Sequence, residues 1–301
     1  MSSKASGKIK DSMSDRIFIA IVYILLGVTA LIVLYPLLFV LAASVSDPNA
    51  VNAGKVWLLP VGFQLQGYTM VFKSKWVLVG YRNSLFYLLL GTSLDIFVTF
   101  TGAYALSRRD IYGRKFLTFF IVFTMWFNGG LIPTFLVVRS LGLVDSPLVL
   151  IIMGAVSAYN FVICRTFIQN SIPGELQEAA RIDGCSDFGL CWKIVFPLSG
   201  PVIAILALYY GLGHWNSYFP ALMYLNRREW QPLQIFLREI LLQNEFVDLQ
   251  SADLKSVQEL ARMTKIMKYS LIVIASFPML ALYPFLQRYF VQGVMIGSLK
   301  G

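Results

Sequence analysis

Residues 17–43 read IFIAIVYILLGVTALIVLYPLLFVLAA. No charge interrupts the run, and about 20 mostly apolar residues are enough for a helix to cross the hydrocarbon core of a bilayer. The rest of the chain tells the same story. Of its 301 residues, 57% are hydrophobic and only 14% are charged, and its mean hydropathy is +0.67. A soluble domain carries roughly 25% charged residues. With about half that charge, the composition argues against a soluble enzyme, a disordered chain and a nucleic-acid binder, and for a protein whose main solvent is lipid. The segment before the run, residues 1–16, is polar and basic through Lys4, Lys8, Lys10 and Arg16. The run is too long for a signal-peptide core and lacks a small-residue cleavage site, so it reads as an uncleaved span.

Five further segments have span character: Leu85–Leu106 with the single charge Asp95, Phe116–Val138, Pro147–Cys164, Pro201–Leu225 with the only histidine, His214, and Tyr269–Leu286. An outer-membrane barrel would show short alternating segments, whereas these are continuous. The expectation is an all-α integral membrane protein with six transmembrane helices. Orientation follows from Lys and Arg in short connectors. Arg108, Arg109, Arg114 and Lys115 crowd the connector after the second span, while the connector after the third carries only Arg139. The first then faces the cytoplasm and the second the outside, which makes both termini cytoplasmic. The whole-chain count is nearly even, so the short connectors decide. All three cysteines fall on or near that reducing side.

The resulting organisation is a cytoplasmic segment 1–16, a six-span domain 17–290 and a cytoplasmic tail 291–301. Outer loops cover about 44–84 and 226–267, and a cytoplasmic loop covers about 165–200. Leu233, Phe236, Leu237, Ile240 and Leu241 form an i, i+3, i+4, i+7, i+8 stripe. That stripe reads as a helix lying on the membrane surface or docked on a partner. The net charge of +9 is accounted for by basic residues that flank spans and meet anionic headgroups. Cys164, Cys185 and Cys191 with one histidine make no familiar metal set. No catalytic set lies within the spans.

The cytoplasmic loop is the most informative. It runs Arg165-Thr-Phe-Ile-Gln-Asn-Ser-Ile-Pro-Gly-Glu-Leu-Gln-Glu-Ala-Ala-Arg-Ile-Asp-Gly184 and then Cys-Ser-Asp-Phe-Gly-Leu-Cys-Trp-Lys-Ile-Val-Phe-Pro197. Pro173 suits a helix start, and Glu175 and Glu178 sit where the helix dipole favours negative charge. Gly184 suits a left-handed stop, Ser186 or Asp187 a second cap, and Pro197 a limit to the second helix. The spacing predicts two short helices joined by a sharp turn. Two adjacent alanines let another surface approach closely.

Glu178-Ala179-Ala180, Gly184 four residues later, nine residues, and then Ile194-Val195-Phe196-Pro197 resemble the EAA loop of ABC-importer permeases. Only Phe196 departs, standing where leucine is usual. Asp183-Gly184 and the Pro197–Pro201 ending resemble the sugar-importer branch. Gln287–Gly293 and the closing Gly297–Gly301 resemble the tail of maltose-permease-like subunits. Arg16-Ile17-Phe18, Leu34–Leu37, Ser44–Pro48, Asn83-Ser84-Leu85 and His214–Tyr218 resemble polysaccharide and lipo-oligosaccharide permeases of Gram-positive bacteria.

The resemblance implies a type I ABC importer permease in a bacterial plasma membrane, without chemistry of its own. It implies a second permease subunit, an ABC ATPase dimer carrying ATP and Mg, and an extracellular solute-binding protein as partners, with an oligosaccharide as cargo. It also implies that Glu178, Ala179, Ala180, Asp183, Gly184, Ile194 and Pro197 couple the chain to the ATPase.

Along the fifth span, Tyr210, His214, Trp215, Asn216 and Tyr218 form a polar-aromatic cluster, which is costly in lipid unless it faces a cavity or another helix. With Asn83 these are the candidate substrate pathway; interhelical hydrogen bonding and an interfacial aromatic belt account for the same residues. Asp95 reads as a packing or relay group and keeps an ion-coupled carrier open as a rival, as does a non-sugar cargo.

Overall fold

The computed structural model describes residues 12–243, 267–284 and 287. These fall into two compact units, one within residues 1–70 and 248–273 and the other within 71–247 and 274–301. Among the described residues every regular element is helical.

In the first unit, α1 (Met13–Ser44) opens on a capping box in which Ser12 and Asp15 each satisfy the other's end of the turn. Its apolar side chains are exposed on every face, with Phe18 and Leu31 more than two-thirds open, as a helix solvated by lipid requires. After it, Asp47 caps α2 (Pro48–Asn52) through the Asn49 amide at 3.0 Å. Backbone bonds from Asp47 to Val61 and from Gln64 to Val45, both 2.9 Å, fold the following loop back on itself. At the end of α1, the Ser44 hydroxyl meets Tyr68 at 2.8 Å, in α3 (Gln66–Lys73).

The second unit is organised around α4 (Lys75–Ser107), a 33-residue helix. Its start lies ten residues earlier than the sequence pattern placed it, so Asn83 belongs to the helix and not to the outer loop. Then come α5 (Arg114–Phe123), α6 (Leu131–Ser140), α7 (Leu148–Ile152) and α8 (Ala158–Ser171). The hairpin follows as α9 (Gly174–Ile182) and α10 (Asp187–Leu198). Next are α11 (Gly200–Trp215), α12 (Phe219–Tyr224) and α13 (Leu233–Gln243), and the last helix is α14 (Met267–Pro284).

Three helices, α1, α4 and α14, are individually long and apolar enough to cross a membrane, and α10 with α11 makes a fourth if that 84° bend is one broken span. The other three expected segments are broken helices. Phe116–Val138 breaks where Gly130 takes φ +88° and Asn128 accepts from its amide. Pro147–Cys164 breaks at Gly154, φ +86°, before Ser157 caps α8. Pro201–Leu225 breaks between Trp215 and Phe219. Broken backbone is tolerated at membrane depth only where protein buries it or a cavity accepts it.

The stripe at 233–241 also differs from its surface-lying expectation. Leu233 and Phe236 are fully buried against α4, each contributing about 1.5–3 kcal/mol by burial. The Leu233 amide donates to Ser84 at 2.9 Å, and Phe236 stacks on Trp76 at 6.3 Å. The segment leading in is tied down as well. Asn83 donates to the carbonyls of Glu229 and Gln231 at 2.7 and 3.0 Å, and Tyr87 donates to that of Trp230 at 2.7 Å.

At Gly80 a Cβ would come within 2.5 Å of the Phe236 ring and 3.1 Å of the Leu233 backbone. Gly80→Val should therefore lift α13 from α4, lower stability in detergent by about 1–3 kcal/mol and speed proteolysis near residue 230. Unchanged melting and unchanged cleavage would contradict the packing.

Candidate functional site

The hairpin is built by its caps. α9 starts after Pro173 with Glu175 in its first turn and Arg181 in its last, both complementing the helix dipole. It ends as a Schellman motif. Gly184 takes φ +76°, the Cys185 amide donates to Ala180 at 2.9 Å and the Gly184 amide to Arg181 at 3.0 Å. Ser186, of the two candidate caps, closes α10 by accepting from the Gly189 amide at 3.1 Å. Within α10, Leu190–Val195 widens to π geometry just before Pro197, which cannot donate to the helix ladder.

Ala180 is buried and Ile194 half-buried, whereas Glu178, Ala179, Asp183, Gly184 and Pro197 are exposed. Beside them Ile182 is 86% exposed and Phe188 71%, an apolar surface no residue of this chain covers among those described. Phe196 is explained by what it touches. Its ring packs on Phe100 of α4 at 5.1 Å and on Trp192 at 4.8 Å, a place where a leucine would fill less area.

The hairpin is bolted to the end of α4 by charge. Arg108, just past α4, pairs with Asp110 and with Asp187 of α10, and Arg181 of α9 reaches Asp110 at 2.9 Å and Asp187 at 3.6 Å. The Arg108 side chain is only 8% exposed. Hydrogen bonds from Arg108 and then Arg181 hold the Asp110 carboxyl well below the usual carboxylate range. Its pairing is thus fully present above about pH 4 and is lost only as pH falls through that lowered value. Arg165 of α8 adds a bond to the Leu106 carbonyl at 2.9 Å, satisfying one of the orphan acceptors at the helix end.

Further along α4, a cavity of about 450 Å³ opens against α7, α8 and α11. Its wall includes the helix breaks themselves, at Met153, Gly154, Ser157, Ser217 and Pro220. Asp95 Oδ2 and His214 Nε2 share a hydrogen bond of 2.7 Å, both side chains buried. A Cβ on Gly91 would lie 2.4 Å from the imidazole, so only glycine lets that ring rest on α4. Tyr210 is locked by Thr99 at 2.6 Å and by the Ser157 amide at 3.1 Å.

Of the six pathway candidates, Tyr210 and His214 line this cavity and the other four do not. Asn83 anchors the outer loop, as above. Trp215 donates to the Ala275 carbonyl at 2.9 Å. Asn216 is exposed at the end of α11, and Tyr218 lies under Arg238 at 4.9 Å. The partnership of Asp95 with His214, 119 residues apart, was open to sequence reasoning: a lone acid and a lone histidine in separate spans are each other's obvious partner in lipid. The four-residue charge cluster had no such signal, because Asp110 and Asp187 stand in ordinary polar connectors.

Comparison with known proteins adds four findings. The family model described as binding-protein-dependent transport system inner membrane component matches residues 6–296. The chain is 41% identical to the polygalacturonan/rhamnogalacturonan transport system permease protein YtcP of Bacillus subtilis, over 96% of this chain and 100% of that one. It is 39% identical to protein LplC of the same organism, over 97% of each. The solved structure of a bacterial ABC transporter involved in the import of the acidic polysaccharide alginate contains a chain that superposes with a TM-score of 0.84. That chain is 36% identical, and the match covers 94% of this chain and all of that one.

Gly91→Ala should displace the imidazole, break the Asp95–His214 bond and lower stability by about 1–3 kcal/mol, read as a lower melting temperature in detergent. An unaltered melting temperature would contradict the placement of His214.

Proposed function

The chain belongs to the binding-protein-dependent transport system inner membrane component family, and from that premise we propose that it is a six-span permease subunit of an ATP-driven oligosaccharide importer. The observation that carries this reading is the hairpin 174–198, which offers Glu178, Ala179, Ile182 and Phe188 outward while Ala180, Leu190 and Val195 are buried in one apolar cluster with residues of α4, α8 and α11. ATP with Mg is hydrolysed on two partner ATPases, which grip that outward face. A second permease subunit completes the pathway, and a solute-binding protein outside delivers the sugar. Both termini and the hairpin lie in the cytoplasm of a bacterial cell, and the three broken segments each count as one span. Relatives whose names refer to polygalacturonan, rhamnogalacturonan and alginate support a sugar cargo.

Coupling runs through α4. When the ATPases close, the hairpin moves, and the cluster of Arg108, Asp110, Arg181 and Asp187 passes that movement to the end of α4. Along the same helix, Thr99 and Asp95 hold Tyr210 and His214 of α11. A displacement at the hairpin therefore changes how α4 and α11 enclose the cavity. The protein contributes geometry and no covalent step.

Gly184→Asp tests the docking surface. A side chain at φ +76° costs on the order of 1 kcal/mol, and among the described residues nothing but its chain neighbours lies within 4 Å of the new Cβ, so the variant should reach the membrane. Its charge falls on the docking face. Co-purification of the ATPase should drop severely and transport should cease. Normal uptake with bound ATPase would overturn the assignment.

A further inference from the structure

The loop after α1 turns its apolar residues outward. Trp57, Leu58, Leu59, Phe63 and Leu65 are each more than half exposed, Leu59 by 78%. A contiguous patch of this kind marks a surface that meets something other than water. Val56, between them and α2, is buried. It packs with Ala50 of α2 on Ala42, near the end of α1, beside Phe39. Ala42 belongs to the charge-free run 17–43, so this contact brings the loop back to the depth at which the apolar part of α1 ends. Backbone bonds fix the return. The Asp47 and Gln64 amides donate to the Val61 and Val45 carbonyls, and the Val61 amide donates to the Ser46 hydroxyl at 3.1 Å.

Hydrogen bonding then limits how deep the loop can sit. Among the described residues the backbone amides of Trp57, Leu58 and Leu59 have no acceptor. They need water, and irregular backbone is not left against hydrocarbon. The Trp57 indole is already satisfied, Nε1 donating to the Gly54 carbonyl at 3.1 Å, so its ring is free to meet lipid. Lys55, also exposed, precedes it by two residues. Apolar side chains on a wet backbone, with an aromatic ring and a cation beside them, fit the boundary between acyl chains and anionic headgroups. A protein partner would form about one hydrogen bond per 100–200 Å² of contact. Residues 56–63 offer it no polar side chain except that indole.

We propose that residues 56–63 form a wedge seated in the outer leaflet of the bilayer, with Trp57, Leu58, Leu59 and Phe63 among the upper acyl chains and Lys55 at the headgroups. The partner of this surface is lipid, continuous with the lipid that surrounds α1. The wedge pins the outer end of α1 at the membrane boundary. The inference rests on the reading of the chain as a permease whose first helix is a span.

The test uses the complete importer in vesicles of phosphatidylcholine and phosphatidylglycerol that are loaded with ATP. The acyl chains carry bromine either near the headgroup or near the chain end, and bromine quenches tryptophan emission on contact. Subtracting the emission of a Trp57→Phe importer isolates Trp57. Its emission should be quenched several-fold more by bromine near the headgroup than by bromine near the chain end. No quenching, or quenching equal or stronger from the chain ends, overturns the wedge. Should Trp57→Phe not assemble, a photo-reactive benzoylphenylalanine in place of Leu59 decides. A lipid adduct on that residue supports the wedge, whereas an adduct with another protein chain, or none, overturns it. The same vesicles are assayed for ATP-driven oligosaccharide uptake. Uptake without headgroup-side quenching overturns the wedge and leaves the permease reading intact. An unmutated assembly that takes up no oligosaccharide counts against the permease reading, whatever the quenching shows.

Discussion

A polar or charged group in a chain solvated by lipid must find its partner within the protein, because the surroundings supply none. Most of the second unit follows from that constraint. Asp95 and His214 meet each other. Tyr210 meets Thr99 and Ser157. Trp215 reaches a carbonyl of α14. The helix breaks at Gly154 and between Trp215 and Phe219 face one cavity, where their freed backbone is not left against hydrocarbon. The cluster of Arg108, Asp110, Arg181 and Asp187 past the end of α4 is of another kind: it stands in polar connectors, with the largely buried Arg108 guanidinium held between two half-exposed carboxylates.

These pairings share one element. α4 carries Asp95, Thr99 and Phe100, abuts the charge cluster at one end and receives α13 near the other. It is uninterrupted over 33 residues, while its neighbours are broken. A rigid helix flanked by broken ones is a suitable transmitter: motion imposed at its end is delivered along its length, and the breaks supply the places where the surrounding backbone can yield. The hairpin and the cavity are then two attachments to one helix.

How much of this the sequence carried depended on whether the signal was local. The hairpin was legible in detail, down to the glycine stop and the serine cap, because caps are written within a few residues of the turn they close. The membrane class was legible from charge-free runs. The breaks at Gly154 and Asn216–Pro220 were not: hydropathy averages over them, so it registers an apolar segment and misses the turn inside it. The stripe at Leu233–Leu241 was correctly periodic, yet periodicity names a buried face without naming what covers it, and here it is α4. Trp215 and Asn83 stood out because both are polar or aromatic in apolar surroundings; in the structure Trp215 donates to one backbone carbonyl and Asn83 to two. Phe196, the one departure from the coupling motif, became intelligible only beside Phe100 and Trp192.

The claim that α4 transmits ATPase closure is tested most directly by the sugar imported per ATP hydrolysed in the reconstituted importer carrying Arg108→Gln. That change removes the charge joining α4 to the hairpin and leaves the outward docking residues in place. The account predicts retained ATPase binding and hydrolysis with import per ATP reduced several-fold. An unchanged ratio in a fully assembled Arg108→Gln importer would contradict it.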